Sequence, residues 1–252
     1  MATYEDEINR LRPFLERLSN IALFGKKIVV HGAENFVKQG ANIIVGNHIG
    51  TFKDIATIVK IVPRPIFFTA NRLIFNKKDF NALISKHLRL HLKDFGLVVD
   101  LLFKPLKMHF VNYISTNVTK AGMIPVDLSR SRRLALDKCE EYLQQDRTII
   151  ALQGRGRVEK HASHPYVSPF RKGVSILVHN LFEREGLVVP VTPIAFFGTH
   201  IPFGVPARVR VNVSAPMRIT DYLADDVSET IENFRAALES RVKTLFLELI
   251  RE

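Results

Sequence analysis

The sequence predicts an α/β fold with a largely parallel central sheet flanked by helices. Three observations favour it: short apolar runs rich in β-branched residues recur along the chain, helical stretches separate them, and an amphipathic segment stands near each end. Parallel strands need long crossover connections, which the intervening helical stretches can provide. Since no repeat, linker or low-complexity tract interrupts this pattern, we expect one domain over residues 1–252.

The first predicted element is an amphipathic helix within residues 1–25. Apolar residues recur there at spacings of three to five, and the opposite face is polar. The apolar members of this face are Ile8, Leu11, Leu15, Leu18 and Leu23. The spacing therefore indicates a helix that packs on the body of the protein.

Seven apolar runs then predict the strands of the sheet. They are KKIVVHG (26–32), NIIVGN (42–47), PIFFTA (65–70), GMIPVD (122–127), RTIIALQ (147–153), LVVPVTPIAFF (187–197) and RVRVNV (208–213). Residues 226–250 predict a closing amphipathic helix, and its start, Asp226-x-x-Glu229, has the spacing of a capping box.

Residues 72–120 are predicted to form a basic helical insertion. Large apolar residues are interleaved there with Lys and Arg, and few acidic residues oppose the bases. Two interpretations stay open: helices that cover the sheet, or a surface that faces an anionic membrane. In the second case lysines would meet the lipid head groups. Those lysines are Lys77, Lys78, Lys104 and Lys107.

Composition excludes several classes of protein. An apolar share of 46% with 24% charged residues is that of a globular protein and not of a disordered or fibrous one. The lone cysteine, Cys139, excludes an intramolecular disulfide framework and a cysteine-rich metal site. The apolar residues 187–197 are too few, and too interrupted by proline, for a transmembrane helix. The acidic start at Glu5, Asp6 and Glu7 differs from a signal peptide, so we expect a cytoplasmic protein.

The charge balance restricts the partners of the protein. There are 36 Lys and Arg residues against 25 Asp and Glu, which gives a net charge of +11. Such a charge suits a nucleic-acid binder, a protein of anionic membrane surfaces or an enzyme for phosphorylated substrates. Because the bases are interleaved with apolar residues and no nucleic-acid reader motif occurs, we expect no nucleic-acid partner. The sequence motifs bear on the choice between a protein of anionic membrane surfaces and an enzyme for phosphorylated substrates.

A histidine and an aspartate follow the strand predicted at residues 42–47. His48 stands at the carboxyl end of that strand, where parallel α/β sheets place their active sites. Thr51 and Asp54 have the spacing of a capping box at a helix start. Asp54 is therefore either a helix-start carboxylate or the partner of His48, fixing the tautomer of a general base.

A glycine-rich turn follows the strand predicted at residues 147–153. It contains Gly154 and Gly156, which can expose backbone N–H groups, and Arg155 and Arg157, whose guanidinium groups can bind phosphate oxygens. Arg130 and its neighbours follow the strand predicted at residues 122–127 and offer further positive charge. The glycine-rich turn predicts a phosphate site, whereas Arg130, Arg132 and Arg133 either contribute to such a site or form a solvated helix start.

The first of these motifs resembles one in the glycerolipid acyltransferase family, the lysophosphatidate and glycerol-phosphate acyltransferases. That family has Asn-His-x4-Asp, and Asn47, His48 and Asp54 match it with one residue too many. The surplus residue falls between His48 and Thr51. We expect Gly50 to loop it out, because glycine adopts backbone angles that other residues do not.

Three further segments resemble motifs of that family in the same order. Residues 122–127 are similar to its glycine, apolar run and aspartate, although Leu128 stands where the family has arginine. Residues 151–156 are similar to Phe-Pro-Glu-Gly-Thr-Arg, with Gln153 in place of the glutamate and arginine displaced to other positions. Residues 170–173, Phe-Arg-Lys-Gly, resemble the downstream Phe-Lys-x-Gly.

The resemblance implies an O-acyltransferase. It would move a fatty acyl group from acyl-CoA or acyl-carrier protein to the free hydroxyl of a lysophospholipid or glycerol phosphate, with no metal and no other cofactor. His48 would be the general base, and Asp54 would orient it. The residues implied in substrate binding are Gln153, Gly154, Arg155, Arg157, Arg130 and Lys172. The product is a membrane lipid, so the protein is expected on the inner face of a membrane as a peripheral protein.

One alternative of a different class stays open. A basic peripheral protein that binds anionic lipid without any chemistry would need the same charge and the same apolar residues. In that case His48 would only end a strand and Asp54 would only cap a helix. The surplus residue and Gln153 favour this alternative, and the intact order of the motifs favours the acyltransferase.

Overall fold

The computed structural model describes residues 13, 15–92, 95–102, 104–117, 123–126 and 132–251. The chain divides into two units. We call Met1–Ile66 with Leu136–Glu252 the sheet unit, and Phe67–Ala135 the helical unit. The prediction of one domain over residues 1–252 stays a prediction, as does the helix over the undescribed part of residues 1–25.

The described elements alternate largely as the sequence predicts. The strands are β1 (Lys26–His31), β2 (Asn42–Asn47), β3 (Ile66–Asn71), β4 (Met123–Val126), β5 (Thr148–Gln153), β6 (Val191–Phe197) and β7 (Ala207–Val213). The α-helices are α1 (15–22), α2 (Phe52–Ile61), α3 (Lys77–Leu92), α4 (Phe95–Leu102), α5 (Lys104–Asn117), α6 (Arg132–Gln144), α7 (Gly173–Glu185) and α8 (Val227–Arg251).

In the sheet unit the strands follow the order β1, β7, β6, β2, β5. The pairs β1–β7, β2–β6 and β2–β5 are parallel, and β6–β7 is antiparallel. Residues 198–206 connect β6 to β7, a length that suits antiparallel neighbours, whereas parallel neighbours need a longer crossover. The prediction of an α/β fold with a largely parallel sheet is confirmed.

Strand β2 lies between β6 and β5, and all six of its residues are buried. This explains its continuous apolar run, because a strand covered on both faces does not alternate with polar residues. Helix α8 packs on β6 and β7 through an apolar face. Its buried residues include Phe234, Leu238, Val242, Leu245 and Leu249.

In this unit one sequence prediction needs adjustment and another is confirmed in part. The strand predicted at residues 187–197 begins only at Val191, where its parallel pairing with Ile43 of β2 begins. At the start of α8, the Asp226 side chain accepts the N–H of Glu229 at 2.9 Å. That half of the predicted capping box is confirmed.

In the helical unit, strands β3 and β4 form a parallel pair, and helices lie between them in the sequence. Helices α3, α4 and α5 lie within the predicted insertion at residues 72–120, and α3 contacts both α4 and α5. Phe80 and Val111 are buried there. The described part of the insertion is therefore helical, and its α-helices are α3, α4 and α5.

Candidate active site

Three parallel strands bring the chemically interesting residues to one edge of the sheet. The register pairs Asn47 with Gln153 at the ends of β2 and β5, and Gly46 with Ile194 in β6. Residues that directly follow β2, β5 and β6 therefore meet at the carboxyl edge, which is where open α/β sheets bind ligands. These residues begin at His48, Gly154 and Gly198.

Asp54 is the centre of a compact hydrogen-bond cluster. Its side chain is 0% exposed, and its Oδ2 atom lies 2.8 Å from Nδ1 of His48. The same oxygen accepts the backbone N–H groups of Ile49 at 2.9 Å and Gly50 at 2.8 Å. Three N–H groups thus converge on one carboxylate oxygen, which holds both the carboxylate and the imidazole in place.

The geometry of this cluster sets the tautomer of His48. A carboxylate oxygen only accepts hydrogen bonds, so Nδ1 carries the hydrogen in the pair and Nε2 presents its lone pair. The His48 side chain is 22% exposed, against none for Asp54. An imidazole that is held by a buried carboxylate and partly open to solvent can remove a proton from a substrate hydroxyl.

The capping box predicted for Thr51 and Asp54 is wrong in one respect. Asp54 lies in the first turn of α2, but the Thr51 side chain makes no cap hydrogen bond. Thr51 instead has φ 54° and ψ −120°, and its Oγ1 donates to the carbonyl of Gly156 at 2.7 Å. The left-handed backbone angle turns the hydroxyl away from the helix and towards the turn after β5.

The surplus residue of the first motif is accommodated differently from our expectation. Thr51 takes the positive φ, whereas Gly50 does not. Gly50 is required for space: a Cβ there would lie 2.4 Å from Cβ of Thr199 and 2.7 Å from Oδ1 of Asp54. A β-branched residue at positive φ costs about 1–3 kcal/mol, and such strain is concentrated at functional sites.

The turn after β5 is fixed against His48 and Thr51 from two sides. The N–H of Gly156 donates to the carbonyl of His48 at 3.1 Å, and the Gly156 carbonyl accepts from Thr51. Gly156 has φ 72°, and a Cβ at this position would lie 3.1 Å from Nε2 of His48. The backbone of Gly156 therefore borders the nitrogen that would act as the base.

The other predicted site residues surround this turn. Gly154 lies against His48, because a Cβ on it would be 2.9 Å from the His48 carbonyl oxygen. Arg155 and Arg157 flank Gly156 and are both exposed, with Arg155 paired loosely to Glu159 at 3.5 Å. Arg130 lies outside the described residues. The turn thus carries two exposed guanidinium groups beside the His48 and Asp54 cluster.

Gln153 fixes a neighbouring turn. Its Oε1 accepts the N–H of Arg171 at 3.2 Å, while the N–H of Phe170 donates to Glu239 at 2.9 Å. Lys172, in the same turn, pairs with Glu232 of α8 at 3.1 Å. This structure places Gln153 in a supporting position and Lys172 at the exposed surface.

No family model matches this chain, and no curated protein matches it in sequence. One similar solved structure is the crystal structure of the 1-acyl-sn-glycerophosphate (LPA) acyltransferase PlsC from Thermotoga maritima. The TM-score is 0.57 at 20% identity, over 99% of this chain and 84% of that chain. The chain has the PlsC fold.

Within the fold that this chain shares with PlsC, the loop after β6 carries polar residues that our sequence analysis missed. Thr199 is buried, and the ring of His200 lies 5.3 Å from the rings of both Tyr166 and Phe197. Burial, followed by the nearby Lys53 charge, lowers the pKa of His200. The signal was present in the sequence, because Thr199 and His200 follow a predicted strand end as His48 does.

Lys53 connects this loop to helix α2. Its ammonium group donates to the carbonyl of Ile201, and its side chain is largely buried. Burial is the main cause that lowers the pKa of Lys53, and the charge of Lys26 acts in the same direction while Asp54 opposes both. The lysine thus fixes the loop beside Asp54.

Two further findings concern the described residues as a whole. No group of three or more His, Cys, Asp and Glu side chains among them is arranged to hold a metal ion. None of the helices in the described ranges has both the length and the apolar character needed to cross a bilayer.

Proposed function

We propose that this protein is an O-acyltransferase that acylates the free hydroxyl of a glycerol-phosphate lipid. The observation that carries the proposal is the 2.8 Å contact between His48 Nδ1 and the fully buried Asp54, at the carboxyl edge of the sheet. The fold shared with PlsC, a 1-acyl-sn-glycerophosphate acyltransferase, favours a substrate of this class. The order of the sequence motifs supports the same activity.

The proposed reaction uses His48 as a general base. Nε2 takes the proton of the acceptor hydroxyl while the hydroxyl oxygen attacks the carbonyl carbon of the thioester. Asp54 stabilises the imidazolium that forms. The tetrahedral intermediate then collapses, the carbon–sulfur bond breaks, and the imidazolium returns the proton to the leaving thiolate. The products are an ester and a free thiol. A positioned base of this kind contributes about 10²–10⁴-fold in rate.

The intermediate carries a negative oxygen that needs hydrogen-bond donors. Backbone N–H groups of the turn after β5 are the nearest candidates, but that of Gly156 is already donated to the His48 carbonyl. The N–H groups of Ile49 and Gly50 are likewise engaged by Asp54. Two other amides of the turn, those of Arg155 and Arg157, are therefore our candidates.

We place the acceptor phosphate at the exposed side chains of Arg155 and Arg157. They lie on either side of Gly156, whose backbone borders Nε2 of His48, so a phosphate bound there stands near the base. Guanidinium groups bind phosphate oxygens through two parallel hydrogen bonds. Lys172 and Arg130 are further candidates, and the donor thioester is acyl-CoA or acyl-carrier protein.

The test is thioester cleavage measured with and without a lysophosphatidate acceptor. We expect free thiol and diacyl product to appear together, and His48→Ala to reduce the rate by about 10²–10⁴-fold. His164→Ala, on an exposed loop, is the matched control and should keep the parent rate. Lipid binding without acyl transfer by the parent protein would instead favour the non-catalytic alternative. Mass spectrometry of the products formed from mixed lyso-acceptors would identify the acceptor.

We further propose that the helical unit binds anionic membrane through α4. This helix exposes large apolar side chains, including Leu101 at 73% and Leu102 at 71%. Lys77 and Lys78, at the start of α3, and Lys104 are exposed as well, which suits anionic head groups. Lys107 differs from this group, because its ammonium is bound to Asp100.

Vesicle co-sedimentation tests the membrane proposal. Replacing Lys77 and Lys78 by glutamate should weaken binding to anionic vesicles, and replacing Lys27 and Lys60 by glutamate changes the net charge equally at other exposed positions. We expect only the first variant to lose binding, and Leu101→Ser to weaken it without any change in charge. Equal loss in both double variants would assign the binding to net charge alone.

A further inference from the structure

Two buried polar atoms near the candidate base have no hydrogen-bond partner among the described residues. One is Oδ1 of Asp54, and the other is Oγ1 of Thr199. Both side chains belong to residues that are 0% exposed. A buried carboxylate oxygen and a buried hydroxyl are each costly to leave unpaired, so an unpaired donor beside an unpaired acceptor calls for an explanation.

These two atoms face the same point in space. A Cβ placed on Gly50 would lie 2.6 Å from Oγ1 of Thr199 and 2.7 Å from Oδ1 of Asp54. Glycine at position 50 therefore leaves open the gap between the hydroxyl and the carboxylate. The two atoms are close but are not hydrogen-bonded to each other in this structure, so a small rotation of the Thr199 side chain is needed before its hydroxyl can donate to the carboxylate.

The backbone around Thr199 is held firmly. At the end of β6, the N–H of Phe196 donates to Oδ1 of Asn47 at 2.8 Å, and Nδ2 of Asn47 donates to the Phe196 carbonyl at 3.0 Å. Beyond Thr199, the ammonium groups of Lys53 and Lys26 donate to carbonyls of residues 201–205. Anchors on both sides thus hold Thr199 against the loop that carries His48.

We propose that Thr199 is a positioning residue for Asp54: after a small rotation of its side chain, its hydroxyl donates to Oδ1. This bond would stop the carboxylate from rotating and so keep Oδ2 directed at Nδ1 of His48. The proposal concerns the geometry of the pair, and it rests on the proposed function only where turnover is measured. It also explains why position 50 is glycine, because any side chain there would separate Thr199 from Asp54.

Thr199→Val is the decisive variant, since it replaces the hydroxyl by a methyl group of similar size. If the hydroxyl were only an unpaired buried group, its removal would leave stability and activity unchanged or improve stability. If it positions Asp54, kcat should fall about 10- to 100-fold with little change in either KM. Thr199→Ser, which retains the hydroxyl, should restore most of the rate.

Thr148→Val is the matched control. Thr148 stands at the opposite end of β5, and its Oγ1 is also buried without a partner among the described residues. We expect this variant to keep the parent kcat. If Thr199→Val does not fold, Thr199→Ala provides the same comparison at a smaller side-chain volume.

A second readout does not depend on turnover. In protein with ¹⁵N-labelled histidine, the Nδ1–H proton of His48 should exchange with water faster in Thr199→Val than in the parent or in Thr199→Ser. An inactive parent would contradict the proposed function, and this exchange measurement would still decide the role of Thr199. Unchanged exchange in the valine variant, or an unchanged kcat in an active enzyme, would overturn the proposal.

Discussion

Replacing Gly156 by alanine is expected to slow catalysis by about 10²-fold or more while the protein stays folded. Gly156 has φ 72°, and an added Cβ would lie 3.1 Å from Nε2 of His48 and 3.2 Å from Cα of Thr51. The acceptor hydroxyl must itself come within about 3 Å of Nε2 to give up its proton. The new methyl group therefore stands in the shell that the substrate oxygen has to enter.

Two separate magnitudes follow from this geometry. An alanine held in the left-handed region costs about 1–2 kcal/mol of stability. The contact at 3.1 Å requires the His48 ring to move by a few tenths of an ångström, and displacement of the order of 1 Å costs about 10²-fold in rate. Since the methyl group also competes with the substrate, we expect kcat to fall by about 10²-fold or more.

Gly186→Ala separates these two effects. Gly186 has φ 66° at the end of α7, and a Cβ there would meet nothing within 4 Å. Urea denaturation should show a similar loss of stability in both variants, whereas acyl transfer should fall only in Gly156→Ala. If the folded Gly156→Ala protein turns over at the rate of Gly186→Ala, Nε2 of His48 is not the base.

Three other predictions concern titration, substrate binding and reactivity. Because burial lowers the pKa of His200 below 6.5, the unfolded state binds more protons, and the unfolding free energy falls as the pH drops below 6.5. Urea denaturation at about pH 7.5 and about pH 5.5 should show a smaller fall of the unfolding free energy in His200→Gln than in the parent. The same reduction in the exposed His164→Gln would contradict this prediction. Arg155→Ala and Arg157→Ala should each raise KM for the phosphorylated acceptor about tenfold and leave KM for the thioester unchanged, whereas equal changes in both would place the phosphate elsewhere. Burial, with the charge of Glu140, raises the pKa of Cys139 to about 12, so a thiol reagent should label this cysteine only in urea. Rapid labelling of the native protein would contradict the burial of Cys139.

The strands were predictable because the local pattern of apolar residues indicates each of them. Strand β2 lies between two neighbours, so its apolar run is continuous and has one interpretation. The antiparallel pairing of β6 and β7 was not predictable in this way, because pairing depends on which elements meet in space. The start of β6 at Val191 likewise depends on where its pairing with Ile43 of β2 begins.

In the candidate site, contacts between residues close in sequence were predictable, and contacts that depend on strand pairing were not. His48 and Asp54 stand close in sequence, so spacing alone suggested their contact. Thr199 is 0% exposed beside them, but it is separated by most of the chain, and only the parallel pairing of β2 and β6 brings it there. Gln153 also has a contact that spacing did not suggest, because its Oε1 accepts the N–H of Arg171, and its role in substrate binding stays a prediction.

The surplus residue in the first motif gains a physical explanation from the same contacts. A longer loop after β2 allows the N–H groups of Ile49 and Gly50 to turn inward onto Oδ2 of Asp54. Closing that loop places Thr51 at φ 54°, and this angle directs its hydroxyl to the carbonyl of Gly156 at 2.7 Å. The surplus residue therefore leaves the contact between His48 and Asp54 intact, and the loop that contains it is hydrogen-bonded to the turn that carries the arginines.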